Sequence, residues 1–214
     1  MPAMQGRHIA VTGGLGALGR GVCAALEARG AILHVSPNPP ELRLDDEAQA
    51  AAFFAGLPPL WASIHLAGGF AMGPIADTSL ADFEAQWRTN TVTCFLSCRE
   101  AVRSIRKTGA GGRIVNVAAR PVVAPAPNLT AYLAAKAGVA AITQGLAAEL
   151  TREGILVNAV LPSTIDTPAN RAAMPGADHA SWPRPAELAE AIAFLASPEN
   201  TVTSGALLPV YGRA

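Results

Sequence analysis

Residues 11–21 read VTGGLGALGRG, and the reading of this stretch decides the fold. It follows a short apolar run, HIAV at 8–11, and opens a segment in which Leu18, Val22, Ala25, Leu26 and Arg29 are spaced to give a helix one apolar face and a wet end. Glycines at a strand-to-helix turn let the backbone approach a pyrophosphate. The first N–H groups of the helix are free and lie at the positive end of its dipole. Any tight strand-helix turn collects glycine, so the run alone is weak evidence. Its place after the first strand of an alternating chain favours nucleotide binding over a mere turn.

Further strand-like runs follow at 31–35 (AILHV), 62–67 (ASIHLA), 113–118 (RIVNVA), 154–161 (GILVNAVL) and 206–210 (ALLPV). Several lack a two-residue alternation, as expected for parallel strands covered on both faces. Between them lie helical patterns. Ser79 with Asp82 resembles a capping box opening a long helix towards Lys107. Residues 128–152 read as another helix, and 185–196 as a last one stopped at Ser197–Pro198. The pattern predicts a single α/β domain over 1–214, a Rossmann-type, doubly wound, mostly parallel sheet of seven strands. After Val35 the chain passes through SPNPP directly to ELRLDD, which reads as a short third strand, so the second crossover helix is expected to be reduced or absent.

The 214 residues are half apolar and 15% charged, and sixteen basic residues balance sixteen acidic ones. That balance gives no reason to expect nucleic acid or an anionic membrane surface; the expected partner is a small molecule. No apolar run reads as a signal peptide or a membrane span, and a cytoplasmic setting is expected. Cys23, Cys94 and Cys98 form no disulfide framework. Cys94 and Cys98 could share a helix face, but two thiols alone make a poor metal site, and they read as small core hydrophobes. His65, in an apparently buried strand, and His179, in a loop, have no metal-ligand company along the sequence. No metal is expected.

The segment ARPVVAPAPNLTAYLAAK, residues 119–136, carries the chemistry. Tyr132 and Lys136 are four apart, so a helix puts them on one face. A neighbouring ammonium favours phenolate and would lower the phenol's pKa, making it a better proton donor to a carbonyl oxygen as hydride reaches the carbon. Ala118 and Ala119 stand before the pair, and alanine offers no side-chain hydrogen bond.

In order and interval these motifs resemble the short-chain dehydrogenase/reductase family over nearly the whole chain. Thr12, Gly13 and Gly19 match its T-G-x-x-x-G-x-G loop, with Ala17 for the middle glycine and Gly16 one residue earlier. HLAGG (65–69) is similar to its N-N-A-G, Asn90 to its helix asparagine, YLAAK to its Y-x-x-x-K, and NAVLPSTIDTP (158–168) to its N-x-x-x-P-G-x-x-x-T, with Ser163 for glycine. The resemblance implies an NAD(P)H-dependent oxidoreductase that is a homodimer or homotetramer built on the 79–107 and 128–152 helices. It implies catalytic roles for Tyr132, Lys136 and Asn90. It implies nucleotide contacts at Gly13, Gly14, Gly16, Leu18, Gly19, Ser36, Asp45, Ala67, Gly68, Gly69, Pro162, Ile165 and Thr167. Asp45 reads equally as a solvated loop carboxylate, and Thr167 as the cap of the next helix.

Most of the family places a serine where Ala119 stands, and losing such a donor costs on the order of 3 kcal/mol at a developing oxyanion. Residues 160–182, VLPSTIDTPANRAAMPGADHASW, look like the matching segment of dihydropteridine reductases, which also carry alanine at this place followed by a basic residue, here Arg120. Those enzymes protonate a ring nitrogen. The resemblance implies substrate contacts at Ala119, Arg120, Arg171 and Met174, with Trp182 either a contact or a core anchor. Ser36 replaces their ribose-binding acid and no arginine follows at once, so NADH and NADPH both stay open, and Asn90 is nearer the general family. An ordinary carbonyl reductase and a catalytically idle nucleotide-binding sensor are the alternatives.

Overall fold

The structure, a computed structural model, describes residues 3–213; residues 1, 2 and 214, at the ends of the expected domain, lie outside the described residues. The apolar runs form strands β1 (His8–Thr12), β2 (Ile32–Val35), β3 (Ala62–His65), β4 (Gly112–Val117), β5 (Ile155–Pro162) and β6 (Leu207–Val210). They pair in the order β2-β1-β3-β4-β5-β6, every pair parallel. All eight residues of β5 and all four of β3 are buried, which is why their sequences show no alternation.

Helices α1 (Ala17–Glu27), α2 (Glu47–Ala55), α3 (Leu80–Trp87), α4 (Thr93–Arg106), α5 (Thr130–Leu150), α6 (Pro168–Ala173) and α7 (Pro185–Ala196) connect the strands. Val22 and Leu26 of α1 and Ile192 of α7 join one core with Val11, Ile64 and Val160. Ala101 and Ile105 of α4 and Val139 and Ala147 of α5 join the other with Ile114 and Val157. The sheet therefore lies between two apolar layers. Winding reverses at β1, with β2 on one side and β3 on the other, and the crevice at their carboxyl ends is where an open α/β sheet takes ligands. Among the described residues, no helix is long and apolar enough to cross a membrane.

Among the described residues the sheet has six strands and not the expected seven. Residues 41–46, ELRLDD, form turns. Their alternation has another cause. Leu42 and Leu44 are buried on Ala50 of α2 and Leu96 of α4, while Glu41 and Arg43 face solvent, so helices supply the apolar contact that a ladder would have supplied. The helix that does cross to β3, α2, is capped by Asp46, whose side chain accepts from the Gln49 amide at 3.0 Å.

The Val11–Gly21 turn is held by close approaches. Gly13 has φ +70°, and a Cβ there would sit 2.6 Å from the Ala67 nitrogen. A Cβ at Gly19 would sit 2.3 Å from the Gly13 oxygen and 2.5 Å from the Gly14 Cα. Gly19→Ala is expected to lower stability by about 1–3 kcal/mol through overpacking, outweighing the roughly 1 kcal/mol of helix propensity that alanine would add. Chemical denaturation checks this; an unchanged or raised midpoint would contradict the packing described.

Candidate functional site

A cleft of about 440 Å³ opens at the carboxyl ends of β1, β2 and β3. Gly13, Gly16, Ser36, Asp45, Leu66, Ala67 and Gly68 line it, so the expected glycine loop, the end of β2 and the HLAGG segment come together. The first turn of α1 has no side-chain cap and no acidic residue, leaving its amides unclaimed and its positive dipole end uncompensated. That wall suits a diphosphate.

Ser36 is buried, and its hydroxyl accepts from the Gly13 amide at 3.4 Å, so it braces the loop. Asp45 is no free loop carboxylate: Arg43 Nη2 lies 3.0 Å away and Arg88 Nε 3.2 Å away, and hydrogen bonding from Arg43 first of all holds its carboxyl below the usual range. Arg43 and Asn38 also line the cleft. Arg43 lies in the alternating segment whose sequence reads as a strand, and it reaches the cleft wall because that segment folds as turns instead.

Between α3 and α4 the helix widens into a π turn, Arg88–Val92, opened by α3 with its Ser79–Asp82 capping box. Such turns re-aim a side chain within an otherwise regular helix. Here the turn directs Asn90 at residues 68 and 69: Nδ2 donates to the Gly69 oxygen at 3.1 Å, and the Gly69 amide donates to Oδ1 at 3.2 Å. A Cβ on Gly68 would lie 2.7 Å from Asn90 Oδ1 and 3.3 Å from Lys136 Nζ. Asn90, Gly68 and Lys136 thus meet beside the cleft.

Lys136 is buried on α5 and donates to the Val117 oxygen at 2.9 Å; burial pushes its pKa down to about 8. Tyr132, one turn earlier, has its ring 5.9 Å from Lys136 Nζ. The expectation that the lysine lowers the phenol's pKa is not met: burial pushes Tyr132 up to about 12. The ammonium is turned towards Val117, so desolvation of the phenolate dominates. Phe70 packs edge-on against Tyr132 with centroids 5.0 Å apart and is 62% exposed. Nothing in its spacing marked it; it comes to Tyr132 through the loop after β3.

Ala119 is buried at the end of the β4 segment, and no side-chain hydroxyl stands in its place. Arg120 opens a short 3-10 turn with its guanidinium 5.0 Å from the Tyr211 ring centroid. Pro162 ends β5. The Ile165 oxygen accepts from Asn170 Nδ2 at 2.8 Å, and Thr167 caps α6 by accepting from the Asn170 amide at 3.2 Å, the second of its two readings. Arg171 is engaged by Asp166 through Nη2 at 2.8 Å, and Met174 is 39% exposed. Trp182 is buried against His179, with centroids 4.6 Å apart, and lines a second pocket with Asp166, Arg171 and His179, so both of its readings stay open. Gly14 and Leu18 lie in the loop and first turn without lining the cleft, and Gly14 packs against Val35.

His65 does have ligand company, contrary to the sequence reading. Strand β3 and helix α4 bring it to Cys94 and Cys98, with the three donor atoms within 4.8 Å of one another. One-dimensional spacing could not show this, because the partners lie about thirty residues away on a helix that packs over β3.

Residues 44–212 match the protein-family model described as enoyl-(acyl carrier protein) reductase. Over 149 residues the chain is 34% identical to a glucose 1-dehydrogenase of Gluconobacter oxydans, covering 65% of this chain and 56% of that protein. It is 30% identical over 202 residues to 3beta-hydroxysteroid dehydrogenase 1 of Eggerthella lenta, covering 89% of this chain and 77% of that protein. A solved structure described as a short chain dehydrogenase/reductase family protein superposes with a TM-score of 0.91 at 25% identity, covering 98% of this chain and 97% of its own. The chain spans about half the length of the first curated relatives it matches. With most of its length in the family model and relatives at this identity, the chain belongs to the short-chain dehydrogenase/reductase family.

Proposed function

We propose that residues 1–214 form one nicotinamide-dependent oxidoreductase domain that reduces a small C=N or C=O acceptor. The observation that carries this reading is the placing of Tyr132, Lys136 and Asn90 beside a glycine-walled cleft whose helix terminus is uncapped. NAD(P)H fits that wall, with Gly13 and Gly16 admitting the diphosphate, Gly19 letting the loop pack closely on the helix, and Lys136 available to the nicotinamide ribose. When bound, the nicotinamide supplies hydride to the acceptor carbon.

The protein's part is proton delivery and positioning. Tyr132, still protonated at neutral pH, gives its proton to the acceptor's heteroatom, and the Lys136 ammonium favours the phenolate that forms. Asn90 fixes the backbone at Gly69 beside that lysine. Ala119 offers no hydrogen bond to an oxyanion, which favours an acceptor protonated on nitrogen, such as a quinonoid dihydropterin; Phe70 offers an exposed aromatic face beside Tyr132. The second reading is an ordinary ketone or alcohol substrate, favoured by relatives named glucose and steroid dehydrogenases. Leu80, Phe83, Trp87 and Phe95, exposed along α3 and α4, support a homodimer or homotetramer built on this face.

NADPH and NADH oxidation with quinonoid dihydropterin, beside a ketone panel, tests the proposal. Tyr132→Phe is expected to lower kcat by roughly 10²–10⁴-fold with nucleotide affinity kept. Full activity in the variant would overturn the role, and nucleotide binding without turnover on any acceptor would leave an idle binder. With Arg43 on the cleft rim and Asp45 already paired, NADPH is the expected form. Arg43→Ala should then weaken NADPH by about 1.5–3 kcal/mol and leave NADH little changed; equal losses would contradict this. The chain holds two tyrosines, so Tyr211→Phe isolates Tyr132. Its tyrosinate absorbance should rise near pH 12, above the ordinary value of about 10. A midpoint at or below 10 would show that the lysine, and not burial, governs the phenol.

A further inference from the structure

Behind the cleft, a polar cluster that the proposed chemistry does not use is buried between β3, β4 and α4. His65 ends β3, Asn116 stands opposite it in register on β4, and Cys94 and Cys98 project from successive turns of α4. All four are 4% exposed or less. Cys94 Sγ lies 3.9 Å from Cys98 Sγ, and Cys98 Sγ lies 3.4 Å from His65 Nδ1 and 3.4 Å from Asn116 Oδ1. His65 Nδ1 to Asn116 Oδ1 is 2.8 Å.

From these positions we propose that His65, Cys94 and Cys98, with the Asn116 side-chain oxygen as fourth donor, form a tetrahedral site for a thiophilic divalent cation, Zn²⁺ by preference. Two sulfurs and an imidazole nitrogen are the donor set zinc takes, and a hard cation would find one oxygen only. With Zn–S near 2.3 Å and Zn–N near 2.05 Å, a tetrahedron has edges of about 3.8 Å between sulfurs and about 3.6 Å between sulfur and nitrogen. The two separations from Cys98, 3.9 and 3.4 Å, need shifts of a few tenths of an ångström, and the donor atoms of all three residues lie within 4.8 Å of one another, leaving Cys94 and His65 to close in on the ion. The His65–Asn116 contact is the one that must open, because the two atoms would become ligands of one ion instead of hydrogen-bond partners.

The outer contacts are also in place. Ser63 Oγ lies 2.8 Å from His65 Nε2 and can accept its proton, which leaves the Nδ1 lone pair for the metal. Asn116 Nδ2 donates to Thr143 Oγ1 at 2.9 Å, which turns Oδ1 towards the cluster. Binding is proton-balanced and involves no oxidation. Zn²⁺ enters, the two thiols lose their protons to solvent, and two Zn–S bonds form, giving a neutral centre beside the Lys136 cation. Because the donors are buried, loading accompanies folding.

The test is expression of the whole chain with Co²⁺ replacing Zn²⁺ in the medium, followed by gel filtration. A stoichiometric cobalt spectrum with an intense thiolate-to-cobalt band and tetrahedral d–d bands is expected. Zinc-grown protein should retain zinc through the same column and melt higher than after chelation, by mass action. Cys94→Ser and Cys98→Ser should each lose the band while still folding by circular dichroism. His34→Gln, which breaks the other close imidazole pair, His8 Nδ1 to His34 Nε2 at 3.0 Å, should keep it. Wild-type protein with neither retained metal nor a thiolate band overturns the proposal. A cobalt spectrum without the thiolate band, lost in His34→Gln, overturns it equally by placing the ion at the histidine pair.

Discussion

The ammonium of Lys136 is buried with the Val117 carbonyl as its hydrogen-bond acceptor, and the carboxyl edge of the sheet is arranged around that constraint. Removing a cation from water costs several kcal/mol unless it is paired or hydrogen-bonded. Its pKa, pushed down to about 8, records that cost. The neighbourhood has no slack. A Cβ at position 68 would press on the side-chain ends of Asn90 and Lys136 and push them from these positions, and Asn90 reaches it because the helix widens to a π turn at that point. One constraint thus links β3, β4, the α3–α4 helix and α5.

A second close approach completes the crevice. Gly13 packs against the Ala67 amide, so the glycine loop and the segment after β3 form one wall, with Ser36 bracing it from β2. A side chain at Gly13 would collide with the Leu66–Ala67 backbone and force the two segments of the wall apart. The lysine and the glycines are therefore parts of one arrangement: Gly13 and Gly68 line the cleft, and Lys136 stands next to Gly68, one helical turn from Tyr132.

Much of this was legible from residue types. The six strands were marked by apolar runs, which in β3 and β5 are buried along their whole length, and the Ser79–Asp82 capping box and Pro185 fixed helix starts through local hydrogen bonds and backbone preference. What failed was non-local. Glu41–Leu44 alternates like a strand but buries Leu42 and Leu44 on helices, and the same error hid Arg43 from the cleft. The tyrosine pKa was misjudged because spacing along a helix gives proximity and says nothing of how much water each group loses. His65 meeting Cys94 and Cys98 depends on which helix covers β3, which topology decides and sequence spacing does not.

We propose that the crevice between β1 and β3 holds a nicotinamide nucleotide against Lys136. Calorimetric titration of the purified chain with NADPH and with NADH tests it without needing to know the substrate. Saturable binding of one nucleotide per chain, weakened in Lys136→Ala, is expected. Absence of binding by both nucleotides would contradict it.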